Sequence, residues 1–408
     1  MSPMPGRNPY RPGVGLTPLY LAGRDGQIRR FASTLRGAPD IPANVRITGL
    51  RGVGKTVLLG QFERVAAEED WAAASIELEH RHDSPEALVA VISGVCDALR
   101  AKLSRAARVR RQMGRAVDQV SRVNVGINEI KVSIDPNATD EDAELTEVLY
   151  ETVVATTSRG KLGVVLMLDE VQVLEDPASL SVLIAAVSSL QRSDVPVGLV
   201  ICGLPSLDAL LLRARTYSER MFRGEVLGRL DDEAARDALV RPLDETGVGI
   251  DAELIDHVVR DVEGYPYFIQ LWGAELWDTA DHADLQQLAS GLLDIVQPEI
   301  VRRLDVDFYE PRVQILTPAE QDVLVLTGEC PYPPIKVSDV VEHSDRSMGN
   351  VNVLLGRIVN AGVLYRVRRG EYEYTAPRFH EFLQRRRRKD RVDQMGNAGG
   401  GPTSRSGS

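Results

Sequence analysis

Strand signals recur in the first half of the chain: a short one at Val45-Arg46-Ile47-Thr48, and two continuous apolar runs, Leu162 to Leu168 ending on Asp169-Glu170 and Val195 to Cys202. Runs of this length without alternation predict strands covered on both faces, as in a parallel sheet. Ala74 to Glu79 instead alternates with the period of a half-covered strand. Apolar positions at spacings of three and four predict helices between them. One opens at Leu21-Ala22-Gly23-Arg24 and runs to about Leu35, and another follows Val57. A third starts at Pro85 behind the N-cap Ser84 and carries Leu88, Val91, Ile92, Val95 and Leu99 on one face. Strand and helix in alternation predict an α/β fold with a parallel sheet and crossover helices.

Past residue 230 the strand signal fades. Helices are predicted over Asp232–Leu243, Ala252–Val262, Pro266–Asp278 and His282–Arg303, a helical domain over about 230–310. The last part changes again. A helix starts at Thr317-Pro318-Ala319-Glu320, a short one covers Lys336–Val341, and a third covers Gly349–Asn360. Val363–Arg368 and Tyr372–Thr375 then flank the tight turn Arg369-Gly370-Glu371, which predicts a hairpin. Residues 1–16, rich in Pro, Gly and Arg, read as a loosely draped, disordered arm, and 392–408, rich in Gly and Ser, as a disordered tail. The stretch over about 101–137 reads as an insertion. It begins as a basic helix with Arg105, Arg108, Arg110, Arg111 and Arg115, then alternates over 124–134 like one strand or a hairpin. Its charge reads as a solvated face before a ligand surface.

Composition narrows the class. The chain has 408 residues, 43% hydrophobic and 26% charged, which calls for two or three domains. No apolar run approaches the ~18 residues of a membrane span, and no apolar stretch follows the N-terminus as a secretory signal would require. Cys96, Cys202 and Cys330 are scattered without metal spacing, so a reducing, cytoplasmic setting without disulfides is expected. A net charge of −11 excludes general attraction to nucleic acid and leaves only a local basic surface for it.

The chemistry concentrates in two places. Gly49-Leu50-Arg51-Gly52-Val53-Gly54-Lys55-Thr56 fits G-x-x-x-x-G-K-T between a strand and the helix that begins with Val57. In that context the glycines let backbone N–H groups curl around a polyphosphate, and the helix start adds its positive dipole end. Lys55 is placed to reach the β- and γ-phosphates and Thr56 to offer a hydroxyl to Mg²⁺. At the end of the second buried run, Asp169 is placed to hold Mg²⁺ through water and Glu170 to polarise the attacking water. Glu170 separates hydrolysis from mere nucleotide holding.

With these motifs the chain resembles the AAA+ ATPases, closest to their origin-recognition-type and STAND-like branches, over about residues 18 to 380. The resemblance implies ATP with Mg²⁺, an α/β nucleotide-binding domain over 17–229, a helical lid over 230–310 and a C-terminal winged helix over 311–391. Gly23-Arg24-Asp25 resembles the family's box near the adenine, and Gly264-Tyr265-Pro266 its lid segment, with Arg24, Gly264 and Pro266 on the nucleotide. The preference for adenine rests on this likeness. The family's arginine that acts on a neighbour's γ-phosphate is assigned to Arg220, from the cluster Arg213, Arg215, Arg220 and Arg223; a surface arginine paired to Glu219 or Glu225 is the alternative. One departure stands out: the tip of the fourth core strand, Ile201-Cys202-Gly203-Leu204-Pro205-Ser206, offers no clear polar residue where the family keeps its first sensor.

The winged-helix likeness implies DNA contact through Arg346, Ser347, Asn350, Asn352 and Arg357 on the third helix and Arg366, Arg368 and Arg369 in the hairpin, with Arg385 to Lys389 adding charge. The function implied is an ATP-driven switch or motor that forms a homo-oligomer on ATP binding, controls the winged helix and acts on DNA or a DNA-bound complex. The alternative is a STAND-like signalling ATPase with slow hydrolysis, in which the winged helix docks an as yet unspecified protein. A third reading is a scaffold that holds ATP without hydrolysing it.

Overall fold

The computed structural model describes residues 6–13, 15–113, 139–215, 218–331 and 334–398. They form two compact units. One comprises Pro9–Glu245 with Pro266–Gln270, and the rest of the described chain forms the other.

The first unit is built in the order α1 (Asp25–Arg36), β1 (Asn44–Gly49), α2 (Lys55–Glu68), β2 (Ala72–Glu77), α3 (Pro85–Met113), α4 (Asp140–Thr157), β3 (Val164–Asp169), α5 (Pro177–Gln191), β4 (Val197–Gly203), α6 (Leu207–Ala214), α7 (Ser218–Met221), β5 (Arg223–Leu227) and α8 (Asp232–Val240). Its five strands are all parallel, in the order β2-β3-β4-β1-β5. β4 thus lies between β1 and β3. Every residue of β3 and β4 is buried, which is why neither alternates in sequence. α3, α4 and α5 close one core with the sheet through residues such as Leu88, Ile92, Leu149 and Leu183. α1 and α2 meet through Phe31 and Phe62, whose rings stack 4.0 Å apart. All the carboxyl ends of the strands face one edge, where ligands bind in open α/β sheets.

Several sequence expectations shift. The basic helix begun at residue 101 is no separate element, because α3 runs unbroken from Pro85 to Met113; the alternating stretch at 124–134 lies outside the described residues. β2 starts two residues earlier than its alternation suggests, because Ala72 to Glu77 pair in register with Val164 to Asp169. The helix expected over Asp232–Leu243 ends at Val240 and becomes a 3-10 turn, where Pro242 has no N–H to continue it. Part of the N-terminal arm is seated rather than loose. Tyr10 is 4% exposed, and its hydroxyl donates to the Leu239 carbonyl.

The second unit carries β6 (Gly249–Ile250) and α9 (Ala252–Val262), then α10 (Pro266–His282), whose first turn belongs to the first unit, then β7 (Gln287–Leu288), α11 (Leu293–Arg303) and α12 (Glu310–Gln314). A single helix over His282–Arg303 is not formed. Asp284 takes a left-handed φ of 52°, and β7 pairs with β6 before α11 begins. Next come α13 (Pro318–Thr327), β8 (Ile335–Lys336), α14 (Val337–Glu342), α15 (Met348–Asn360), β9 (Leu364–Arg368), β10 (Glu371–Tyr374) and α16 (Phe379–Ala398). The last three strands form an antiparallel sheet in the order β8-β10-β9. Thr317 and Glu320 close a reciprocal cap on α13, as their spacing predicts. Among the described residues, no helix is long and apolar enough to cross a membrane.

Candidate nucleotide site

β1 ends on Gly49, and the loop turns directly into α2 at Lys55. Gly52 and Gly54 take φ of 81° and 91°, a left-handed backbone that a side chain would strain. Gly49 is needed for a different reason: a Cβ there would stand 2.5 Å from the Leu227 carbonyl oxygen of β5. Leu50, Arg51 and Val53 complete the turn, and Val53 is buried beneath it. Val57 sits in the first turn of α2.

Lys55 is 6% exposed, and its Nζ donates to the carbonyls of Gly49 and Leu50, each at 3.1 Å. Among the described residues no carboxylate pairs with it. A buried cation held only by carbonyl dipoles is costly, and an anion seated in the loop would compensate it. The loop therefore fits a polyphosphate on its charge as well as its shape.

Across the tip of β4, the Thr56 hydroxyl donates to Asp169 Oδ2 at 2.6 Å. This bond ties the loop on β1 to the acidic end of β3. The two oxygens a Mg²⁺ ion needs from the protein thus already lie side by side. Among the described residues no cluster of three His, Cys, Asp or Glu side chains could hold a metal alone, so an ion here would complete its shell from phosphate and water, as Mg²⁺ commonly does. Burial, and then the nearby Asp169 carboxylate, push the Cys202 thiol well up, so it stays protonated under the site.

Glu170 follows in a left-handed conformation, φ 55°, half-buried at the mouth of the site. Its carboxylate accepts a hydrogen bond from Gln172 Nε2. Gln172 Oε1 in turn accepts the Leu204 N–H at 3.0 Å, at the exit of β4. Gln172 escaped the sequence reading. The only signal was its place two residues after Glu170, and the contact with Leu204 spans 32 positions of chain.

Arg24 joins the loop from behind. It is 5% exposed, and its Nη2 donates to the carbonyls of Val53, at 3.0 Å, and Gly228, at 2.8 Å. These bonds prop the loop against the exit of β5. Burial lowers the pKa of Arg24 from the ordinary value. The neighbouring Gly23 is packed so closely that a Cβ would lie 2.9 Å from Ala234 Cβ.

Arg220 is not gathered into this site. β5 begins with Arg223 opposite Val45 and ends with Leu227 opposite Gly49. Arg220 therefore lies beyond the amino ends of the strands, with roughly 15 Å of strand between it and the loop of its own chain. There it lines a cavity of about 780 Å³ with Asn44, Gln191, Arg192 and Phe222. Arg215 is occupied by Ser181 and Asp142, and Arg223 by Glu225. Gly264 follows the end of α9 with φ 72°, and Pro266 is the first residue of α10.

The expected basic surface of the second unit is smaller than its sequence suggests. Arg385, Arg386 and Arg387 are paired to Asp305, Glu310 and Glu329. Arg346 lies 3.2 Å from Asp322, and Arg368 grips Glu371 with both arms at 2.6 and 2.8 Å. Arg366 lies over the Tyr372 ring. Asn350, Asn352 and Arg357 of α15 remain exposed, as does Arg369 at the hairpin turn.

Comparison with known proteins agrees with this geometry. A family profile described as an AAA ATPase domain matches residues 20–201, and one described as a domain of unknown function matches residues 306–383. No curated protein matches the chain. Among solved structures, the chain is similar to the ORC2 protein of Aeropyrum pernix in its ADPNP and ADP complexes, with a TM-score of 0.56 at 14% identity, covering 95% of this chain and 98% of that one. It is also similar to the Walker-type ATPase PABY2304 of Pyrococcus abyssi, with a TM-score of 0.52 at 15% identity, covering 89% of this chain and 96% of that one. At such identities the likeness is one of fold. Phosphate loop, acidic strand end, strand order and profile converge: this chain carries an AAA ATPase domain over residues 20–201.

Proposed function

We propose that the chain binds ATP with Mg²⁺ and hydrolyses it to ADP and phosphate, and that its nucleotide state controls what the C-terminal unit binds. The observation that carries this reading is the 2.6 Å bond between Thr56 and Asp169, which unites the loop with the acidic strand end. Lys55 and the loop amides take the β- and γ-phosphates, and Thr56 and Asp169 hold the ion. Mg²⁺ would supply charge neutralisation on the phosphate oxygens. Glu170 orients the attacking water and draws on its proton. Gly264 and Pro266 are assigned to the nucleotide by family likeness.

In this reading residues 17–229 are the nucleotide-binding domain, 230–310 a helical lid and 311–391 a winged helix in the cytoplasm. Support for the last is the sequence of three helices with a three-stranded antiparallel sheet. α15 and the hairpin would meet DNA through Asn350, Asn352, Arg357 and Arg369. The test is filter binding of duplex DNA with Mg-ATP at 50 and 200 mM salt. With two arginines on phosphates the affinity falls roughly tenfold between them; no binding at the lower salt removes DNA from the account. A second reading, in which this unit docks a protein, draws on the pairing of Arg385, Arg386 and Arg387 and on the exposed Met348 and Val353 of α15.

Arg220 acts on the nucleotide of a second copy of the chain, since its own loop is out of reach. Arg220→Ala and Glu170→Gln proteins, each slow alone, recover turnover when mixed, because some interfaces then join an intact arginine to an intact glutamate. Absence of recovery at every ratio removes Arg220 from the reaction.

A further inference from the structure

We propose that Gln172 is the positioning residue for Glu170, and that it supplies from the turn after β3 the polar group that the tip of β4 lacks. The inference rests on the hydrolytic reading above. The geometry fixes the orientation of its amide. Leu204 presents a backbone N–H, so the atom facing it at 3.0 Å must be the oxygen. The NH₂ end then faces the Glu170 carboxylate as a donor. Only an amide satisfies both ends at once. A glutamate would set two carboxylates together, and an alkyl side chain would leave both partners unmet.

Two further observations point the same way. A Cβ on Gly203, the last residue of β4, would stand 2.5 Å from Gln172 Oε1. Real Cβ contacts do not approach so closely, so the amide of Gln172 occupies space at the strand tip that a side chain on Gly203 would enter. Glu170 also holds a left-handed backbone, φ 55°, which costs a non-glycine residue about 1 kcal/mol or more. Such a conformation persists only where the surroundings dictate it. Here Val171 is fully buried and anchors the turn, and Gln172 returns over the carboxylate. Glu170 is thus held at two points: by its backbone, and by an amide that is itself tethered to the strand between the loop and the acidic pair.

Steady-state hydrolysis tests this in three variants, with Glu170→Gln as the reference. Gln172→Ala lowers kcat about tenfold to a hundredfold while KM for ATP stays within about twofold, because the water is misplaced and the phosphates are not. Gln172→Glu keeps an acceptor for the Leu204 N–H but loses the NH₂ donor to Glu170, so kcat falls while KM stays within about twofold. A residue with only a scaffolding role would lower affinity for ATP together with kcat. The third is a repair. In the space vacated by Gln172→Ala, Gly203→Asn returns an amide to the tip of β4 and recovers part of the lost kcat, although Gly203→Asn alone is damaging. A wild-type chain whose phosphate release is absent, or indifferent to Glu170→Gln, overturns the hydrolytic reading and this role with it. A wild type that depends on Glu170, beside a Gln172→Ala that is unchanged or that loses kcat and ATP affinity alike, overturns the role of Gln172 alone.

Discussion

Lys55→Met weakens nucleotide binding about ten- to a hundredfold while leaving the nucleotide-free chain at least as stable as the parent. Both halves follow from one arrangement. The ammonium is 6% exposed and held only by the Gly49 and Leu50 carbonyls. Without an anion its desolvation is poorly compensated, so an apolar side chain of similar length costs the fold nothing and relieves it. With a triphosphate bound, the same ammonium makes a charge-assisted contact worth roughly 1.5–3 kcal/mol, about ten- to a hundredfold in affinity, and its loss leaves phosphate charge facing loop carbonyls. Thermal unfolding with and without Mg-ATP separates the effects. At about one hundred times the parent's Kd, ligand linkage adds about 2.7 kcal/mol to the parent and only about 0.4–1.4 kcal/mol to the variant. Lys55→Ala weakens binding likewise but also leaves a void under the loop. A Lys55→Met protein that rises in Tm with ATP as much as the parent would remove the triphosphate from this loop. One that melts far below the parent would make the lysine structural.

Glu170→Gln keeps ATP binding and lowers turnover by about 10²- to 10⁴-fold, the range for loss of a positioned general base. The amide is isosteric, and its oxygen still accepts from Gln172 Nε2, so the turn after β3 stays in place. The phosphate grip lies elsewhere, in the loop and in the Thr56–Asp169 pair, so affinity is preserved. Equilibrium binding of ATP and single-turnover phosphate release, measured on the same preparation, check both parts. An unaltered rate reassigns the base. A matching loss of affinity means that Glu170 holds the nucleotide and has no separate part in hydrolysis.

The strongest local signals survived into the structure. The phosphate loop, its flanking strand and helix, and the apolar run to Asp169 stand where the residues put them, because each depends on neighbours within a few positions. Elements whose limits depend on distant partners moved. β2 took its ends from β3, and the helix begun at Pro85 ran through what had read as a separate basic insertion. The run Arg385 to Lys389 reads as a basic surface until Asp305, Glu310 and Glu329 fold against three of its members. The bonds from Arg24 to the Val53 and Gly228 carbonyls, 29 and 204 positions away, likewise leave no mark in its own neighbourhood.

Sequence alone determined the phosphate loop and its glycines, the buried strand ending in Asp169-Glu170, and with them the class of chemistry. Backbone conformation at glycine and apolar periodicity are local, and local rules suffice to read them. Tertiary structure alone decided that β4 lies between the two motifs, that Thr56 meets Asp169 across its tip, that Gln172 fills the place a side chain on Gly203 would need, and that Arg220 faces away from its own loop. Those facts depend on the order in which parallel strands pair, and hydrogen bonds between residues 30 to more than 100 positions apart leave no trace in the spacing of either partner.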